Sequence, residues 1–259
     1  MQFLPESRLS MAVYLINMDG ATDRLAAMER KAGHAGLHFQ RVAGVEGRKL
    51  TFPTPDFSEK SYRLLHGRRT TPAEIGCYLS HVECARQFLA SDADIALILE
   101  DDVSFEPDFL ETVDLAGCHR NDWDVLRLTT VNDGKKFAFR QLKSGRSLAI
   151  ALTREKGAGA YIVNRKAATW IVERLLPMKL AYDIAFDLEY LDGLRAAFVH
   201  PLVASQRSEH PTQIQANIKE YKLSRWRYLT VLPYRTYLEV TRFVARGITL
   251  MRHKLKSAR

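Results

Sequence analysis

The stretch Ile95–Asp102 reads Ile-Ala-Leu-Ile-Leu-Glu-Asp-Asp, and it decides the fold that we expect. Its five consecutive apolar residues are typical of a strand buried on both faces, as in a parallel sheet. The strand leads into three adjacent acids, Glu100, Asp101 and Asp102. Two such charges 4 Å apart repel by roughly 4 kcal/mol at an effective dielectric of 20. Open α/β sheets bind ligands at this edge, so the acids indicate either a bound cation or a solvated acidic turn.

The composition is that of an ordinary soluble globular protein, with 46% hydrophobic and 26% charged residues in a chain of 259. No apolar run approaches the ~20 residues that span a bilayer. The first residues lack the charged and apolar regions of a signal peptide, which predicts a cytoplasmic protein. The three cysteines, Cys77, Cys84 and Cys118, lack metal-ligand spacing, and we expect buried thiols.

The positive charge of the chain is concentrated at one end. Residues 216–259 hold eleven Lys or Arg and two acids, whereas residues 1–215 carry a net charge of −1. This distribution predicts a body over 1–215 and a basic amphipathic helical tail over 216–259. Pro233 within the tail predicts two helices rather than one.

The first half of the chain contains clear signals for alternating strands and helices. Apolar runs at 12–16 and 39–42 flank a helical pattern over 22–34, which predicts a βαβ unit. Thr71-Pro72-Ala73-Glu74 is a strong helix start, and this helix should run to about Leu89 and lead into the Ile95 strand. His81 lies on it, where it is either a packed core residue or a contact to substrate.

A second acidic group follows in the second half of the chain. Asp183, Asp187, Glu189 and Asp192 are predicted to lie on a helix, where the first two would share a face. Solvated helix charges are the alternative interpretation. We expect 196–199 to be the last strand.

Five segments resemble one known family when they are taken together and in order. They are Val-Tyr-Leu-Ile-Asn-Met-Asp with Arg24 (13–24), Glu-Ile-Gly-Cys-Tyr-Leu-Ser-His (74–81), Leu-Glu-Asp-Asp-Val (99–103), Gly-Ala-Gly-Ala-Tyr-Ile-Val (157–163) and the Asp183 segment. The pattern is similar to glycosyltransferase family 25, the bacterial lipooligosaccharide and lipopolysaccharide glycosyltransferases. The resemblance covers about residues 12–207.

This resemblance implies a GT-A-like nucleotide-sugar-binding fold with a mostly parallel central sheet flanked by helices. It also implies a UDP-sugar donor, typically UDP-galactose, a divalent Mn²⁺ or Mg²⁺ ion, and transfer with inversion. Asn17, Asp19 and Arg24 fall where the first strand would meet the nucleotide, and Glu100, Asp101 and His81 are further candidates for donor contacts. Glu100 and Asp102 stand where the family binds its metal, and His210 or His200 is a candidate third ligand.

The expected chemistry needs a cation and a base. A nucleoside diphosphate leaves readily only when its growing charge is neutralised, which a hard cation held by carboxylates can do. The acceptor hydroxyl needs a carboxylate to take its proton. The resemblance makes Asp183 the first candidate for this base, and Asp187 is the second.

Two other classes of function remain open at the level of the residues. Adjacent aspartates after a buried strand also suit a metal-dependent phosphoryl-transfer enzyme. A non-catalytic protein that binds nucleic acid or membrane through the basic tail is the other alternative, with tail aromatics stacking on bases in the first case.

We expect no nucleic acid and favour a membrane surface as the partner of the tail. Its Lys and Arg are interleaved with Trp226, Leu229, Phe243 and other apolar residues, as in helices that lie in an anionic membrane interface. Such attachment to the cytoplasmic face of the inner membrane would bring the site to a lipid-linked saccharide acceptor. The alternative is that part of the tail packs on the body and closes its core.

Overall fold

The structure is a computed structural model that describes residues 1–132, 134–206, 221 and 223–257. The strands are β1 Gln2–Leu4, β2 Leu9–Asn17, β3 Gln40–Ala43, β4 Ile95–Glu100, β5 Val103–Phe105, β6 Val125–Arg127, β7 Lys136–Lys143, β8 Arg146–Ala151, β9 Ala160–Asn164, β10 Ala196–His200 and β11 Ala204–Gln206. The helices are α1 Thr22–His34, α2 Glu59–His66, α3 Pro72–Leu89, α4 Phe109–Gly117, α5 Arg165–Arg174, α6 Tyr182–Ala185 and α7 Tyr228–Ser257. Short 3₁₀ turns lie at Gly47–Lys49, Arg120–Asp122, Phe186–Asp192 and Arg225–Arg227.

The central sheet is mixed, and the prediction of a mostly parallel sheet is wrong. Its strand order is β1-β2-β4-β9-β6-β10-β8-β7, and β3 also pairs with β2. The pairs β2–β3, β2–β4 and β6–β10 are parallel, whereas β9 is antiparallel to both of its neighbours. A buried antiparallel strand and a buried parallel strand both read as continuous apolar runs, so the sequence pattern does not report strand direction.

The sheet separates two apolar layers, and β4 contributes to both. Ala96 and Ile98 pack in the layer that contains α3 and α5, whereas Ile95, Leu97 and Leu99 pack in the layer that contains α1 and α4. All five are at most 2% exposed. Full burial of one such large aliphatic side chain contributes about 1.5–3 kcal/mol, so this strand is a main source of the sheet's stability.

Helix α3 brings side chains from one apolar layer up to the edge of the sheet. Thr71 caps its N-terminus and Glu74 returns the bond to the Thr71 backbone, which completes the predicted capping box. The helix is buried over most of its circumference, including Ser80 and His81. A helix with so little exposed surface is fixed by packing, which gives its polar side chains defined positions.

Over the described residues 223–257, the C-terminal segment holds one α-helix, and Pro233 does not divide it in two as the sequence predicts. Helix α7 begins directly after the 3₁₀ turn Arg225–Arg227, and Pro233 lies in its second turn. The N–H that proline lacks would have bonded to the carbonyl of Leu229. The lost hydrogen bond therefore falls near the N-terminal end of α7 and does not divide the helix. The helix packs against α2, β7, β8 and the turn Phe186–Asp192. Among the described residues, no helix is long and apolar enough to cross a membrane.

Candidate functional site

The candidate site lies where β2 and β4 end side by side. These strands are parallel and in register up to Ile16 and Glu100, so their carboxyl ends meet at one edge of the sheet. Asn17 ends β2, and the acids Glu100, Asp101 and Asp102 end or follow β4. Ligands of α/β sheets bind at such an edge.

Asp101 is held by residues of the β2–α1 segment. Asn17 donates from Nδ2 to Asp101 Oδ2 at 2.7 Å, and Arg24 Nη1 lies 2.9 Å from Asp101 Oδ1. Burial raises the pKa of Asp101, and the hydrogen bond from Asn17 and the charge of Arg24 oppose that rise. The structure therefore brings three of the predicted donor-binding residues together, with Asp101 as the link between the two strands.

Asp19 stands apart from this link. Its side chain is exposed and pairs with Arg41, which also donates from Nε to Asn17 Oδ1 at 3.0 Å. Arg41 lies on β3 and was not among the predicted site residues. A cation that positions the Asn17 amide from a neighbouring strand leaves no local sequence signal, because the contact depends on how the strands pair.

Glu100 and Asp102 share one partner, Gln206. Gln206 Nε2 donates to Glu100 Oε2 at 2.6 Å and lies 3.4 Å from Asp102 Oδ2. Gln206 reaches the acids because β11 pairs antiparallel with β5, which places it opposite Val103. The sequence analysis takes 196–199 as the last strand, so it misses both β11, which pairs with β5 in a separate two-stranded sheet, and Gln206.

The two acids are short of positive partners. Burial, followed by the charge of Glu100, raises the pKa of Asp102 to about 6. Asp102 Oδ1 is buried and has no hydrogen-bond partner among the described residues. A buried acceptor of this kind costs about 1–3 kcal/mol. A hard divalent cation would satisfy this oxygen and lower the repulsion, so the residues present fit such an ion.

His81 connects α3 to this pair of acids. Its Nε2 lies 3.2 Å from Glu100 Oε1, and its Nδ1 lies 3.0 Å from the hydroxyl of Tyr161. Its ring stacks on Tyr182, with 4.1 Å between the ring centroids and an angle of 3°. His81 is thus both a packed residue and a partner of Glu100.

Of the two candidate third metal ligands, only His200 lies within the described residues. His210 lies outside the described residues. His200 ends β10, which is separated from β4 by β9 and β6 in the sheet. Sγ of Cys77, by contrast, lies within 4.8 Å of ligand atoms of His81 and Glu100, and burial raises the pKa of its thiol well above the usual range.

Asp183 lies at the first turn of α6, directly after Tyr182. It is only partly buried by its neighbours. Burial raises its pKa, and the positive charges of Arg127, Arg154 and Lys156 oppose that rise. A carboxylate with some access and a raised pKa is suited to accept a proton, and the role of Asp183 as the base stays a prediction.

Asp187 is placed quite differently from Asp183, because the helix ends at Ala185 and a 3₁₀ turn follows. The two acids therefore do not share the face that a continuous helix would give them. Asp187 is fully buried, and its Oδ1 accepts from Arg127 at 3.0 Å and from Arg246 at 2.9 Å. Arg242 Nε lies 2.9 Å from Asp187 Oδ2. A carboxylate paired with three arginines is a structural counterion, and this placement argues against its use as the base.

Glu189 and Arg127 complete this buried ionic cluster. Glu189 accepts from Arg246 at 2.8 and 2.9 Å. Arg127 also donates to the carbonyls of Glu155 and Gly157. The cluster joins the Phe186–Asp192 turn, β6 and α7, and it accounts for two of the acids that the sequence assigned to a second acidic group.

The fold and the site together define an α/β protein with a paired-carboxylate site at its strand ends, suited to a cation and an anionic ligand. The family model of glycosyltransferase family 25 (LPS biosynthesis protein) matches residues 11–186. The chain belongs to glycosyltransferase family 25, and the predicted family is confirmed.

Curated relatives carry the same family in their names. A glycosyltransferase 25 family member of Anopheles gambiae is 28% identical over 204 residues, which cover 71% of this chain and 33% of that protein. Procollagen galactosyltransferase 1-B of Xenopus laevis is 28% identical over 139 residues, covering 48% of this chain and 22% of that protein. The chain therefore matches a third or less of the length of these relatives.

The solved structure of A197 from STIV is a distant match. It covers 73% of this chain and 81% of that chain at 12% identity, with a TM-score of 0.39. That similarity is too low to assign a fold.

Proposed function

We propose that this protein transfers a sugar from a nucleotide-sugar donor to a saccharide acceptor with a GT-A-like site. The observation that carries the proposal is the pair of partly buried acids Glu100 and Asp102 at the end of β4, with the buried Asp102 Oδ1 left without a partner in the described structure. This pair stands where family 25 is expected to bind its metal. Membership of that family favours sugar transfer over the phosphoryl-transfer and non-catalytic alternatives.

Glu100 and Asp102 would hold a Mn²⁺ or Mg²⁺ ion. When bound, the ion neutralises the charge that grows on the departing diphosphate. Gln206 orients Glu100 through its 2.6 Å hydrogen bond, and His81 does so from the other carboxylate oxygen. Such supporting hydrogen bonds fix the direction of a ligand's lone pairs.

The donor would lie against the Asn17–Arg24–Asp101 link. Arg24 is about half exposed although it pairs with Asp101, so its guanidinium retains donors for a phosphate or ribose. Asp101, which is itself held by Asn17, fixes that guanidinium in place. We propose a UDP-sugar as the donor, and galactose as the sugar, because relatives are named galactosyltransferases.

Asp183 would act as the base in a single displacement. The acceptor hydroxyl gives its proton to the Asp183 carboxylate while its oxygen bonds to the anomeric carbon. The bond from that carbon to the diphosphate oxygen breaks, and the configuration inverts. The raised pKa of Asp183 makes it a better proton acceptor than an ordinary aspartate.

The acceptor would be a lipooligosaccharide, a lipopolysaccharide precursor or a related lipid-linked saccharide, in line with the family's description as LPS biosynthesis proteins. Such an acceptor is presented at a membrane. We therefore propose a peripheral position on the cytoplasmic face of the inner membrane, with α7 as the attachment. Of the basic residues in the tail, Arg242 and Arg246 are buried in the ionic cluster, so the exposed ones would carry this attachment.

The test is a screen of UDP-sugars by thermal denaturation, with and without Mn²⁺, followed by a product assay with the stabilising donor. We expect one UDP-sugar to raise the Tm only when the metal is present, and turnover to depend on the metal. Asp102→Asn should abolish both effects, whereas the exposed Glu106→Gln should leave them unchanged. Stabilisation by UDP-sugars that is equal without metal, or equal in Asp102→Asn, would overturn the assignment of the metal site.

A further inference from the structure

The outward side of α7 is mostly apolar along its length. We define its outer face by Leu229, Val240, Phe243, Ile248, Met251 and Leu255, which are 42–69% exposed. Leu229, Val240 and Met251 are eleven residues apart, which is three helical turns, so the face runs straight along the helix. A helix of this length extends about 45 Å.

The inward side of the same helix is unusually polar. Arg242, Arg246 and His253 are at most 8% exposed, and they point into the body beside Leu238 and Leu250. The ordinary arrangement of a surface helix, apolar inward and charged outward, is therefore reversed over much of α7. An apolar outer face of this extent marks an interaction surface rather than scattered exposed residues.

A groove opens along one flank of the C-terminal half of α7. It has a volume of about 700 Å³ and lies between this helix, the β8 and β10 strands and the Phe186–Asp192 turn. Ile248 and Leu255 line the groove and also belong to the outer face. The groove is therefore continuous with the apolar surface.

Two cations of the groove are available to a ligand. Arg252 and Lys256 lie one turn apart on its α7 wall, and both are exposed. Neither makes an ion pair or a hydrogen bond with any residue in the described ranges. Arg195, a third cation of the wall, is held by Asp124, and the acid Glu189 is neutralised by Arg246. Among the described residues, the charge of the groove that has no ion-pair partner is therefore positive.

We propose that this groove binds the phosphate of an anionic glycerophospholipid whose acyl chains cover the outer face of α7. Arg252 and Lys256 supply donors for phosphate oxygens, and the shared residues Ile248 and Leu255 carry the surface from headgroup to chains. The combination of an apolar strip with cations along its flank matches an amphiphile. A second copy of this chain would place the same cations opposite each other.

The inference rests on the proposed function, in which a membrane presents the acceptor. Vesicle binding needs no turnover, so the lipid site and the transferase activity can be refuted separately. The test is co-sedimentation of the full chain with phosphatidylcholine vesicles and with mixed phosphatidylcholine–phosphatidylglycerol vesicles. We expect binding to the anionic vesicles only. Arg252→Glu/Lys256→Glu should weaken it by about 30-fold or more, since each cation contributes on the order of 1 kcal/mol near an anionic surface.

The matched control is Lys166→Glu/Lys179→Glu, which makes the same change in net charge at two exposed positions away from α7. The affinity of this control for the vesicles should lie within about threefold of the wild type, because salt screens charges that lie far from the membrane surface. Phe243→Asp/Met251→Asp should also lose binding, because it removes the apolar part of the surface. The Tm of each variant checks folding. If Arg252→Glu/Lys256→Glu does not fold, Arg252→Gln/Lys256→Gln takes its place.

Several outcomes would overturn the proposal. Equal loss in the groove and control variants would show general charge attraction, and unchanged binding by the groove variant would show that the groove is not used. Stabilisation by glycerol phosphate or inorganic phosphate without any vesicle binding would assign the groove to a soluble phosphate. A dimer in sedimentation velocity that Phe243→Asp/Met251→Asp converts to a monomer would assign the outer face to a second copy.

Discussion

Arg246 and Asp187 form a buried charge-assisted hydrogen bond, with 2.9 Å between Nη2 and Oδ1. The bond joins α7 to the turn that follows α6, four residues after Asp183. Arg127 and Arg242 pair with the same carboxylate. Asp187 therefore neutralises arginines from two distant parts of the chain.

The first prediction concerns this carboxylate. Asp187→Asn should lower the free energy of unfolding by about 3–5 kcal/mol, because it leaves the buried guanidinium of Arg127 without its carboxylate partner and removes one of the two partners of Arg246. The measurement is urea denaturation. Glu59→Gln breaks an exposed pair with Arg63 and should change stability by no more than about 1 kcal/mol. Normal stability of Asp187→Asn with a large loss of turnover would instead make Asp187 a catalytic residue.

The second prediction concerns the paired acids. Asp102→Asn should abolish transfer and leave the fold intact, because it removes one of two neighbouring, partly buried charges and a metal ligand rather than an apolar contact. Turnover at saturating Mn²⁺ and the circular dichroism spectrum test this. Near-normal turnover would contradict the metal assignment.

The third prediction separates the base from the donor site. Asp183→Asn should reduce the rate by roughly 10²–10⁴, while the affinity for the UDP-sugar stays close to that of the wild type. Calorimetric titration with the donor and steady-state rates measure the two quantities. If donor affinity falls together with the rate, Asp183 binds the donor and is not the base.

The fourth prediction is the pH dependence of that step. The base works as the carboxylate, so the rate should rise with pH through the pKa of Asp183. Burial raises this pKa, which places the acid limb of the profile above the usual range of an aspartate. Rates at saturating substrates across acidic to neutral pH measure the limb. A limb in the ordinary aspartate range, or the same limb in Asp183→Asn, would contradict the role.

The fifth prediction concerns Gln206, which supports the metal site from β11. Gln206→Ala removes the 2.6 Å hydrogen bond to Glu100 and should weaken Mn²⁺ binding by about 10–100-fold, as loss of such a supporting bond typically does. The concentration of Mn²⁺ that gives half-maximal stabilisation measures this. Gln40→Ala, at an exposed position on β3, is the control and should match the wild type.

The sequence predicted the elements whose signals are local. The α3 start at Thr71, the β4 strand and the acids that follow it are readable because capping and apolar runs depend on adjacent residues. The antiparallel direction of β9 and the contact that brings Gln206 to Glu100 depend on residues that are far apart in the sequence. Asp187 was placed with Asp183 because a continuous helix was assumed, and no local signal shows that its partners are arginines of α7.

The reversed polarity of α7 has a consequence for how this chain can be divided. Its inward arginines compensate Asp187 and Glu189, so a chain cut at residue 215 would keep two buried carboxylates and lose two of their cations. Such a fragment should be unstable for reasons unrelated to lipid. Helix α7 thus carries both the outward apolar strip and the arginines that neutralise buried acids of the core. Membrane attachment and folding can therefore be separated only by point substitutions on the outer face of α7.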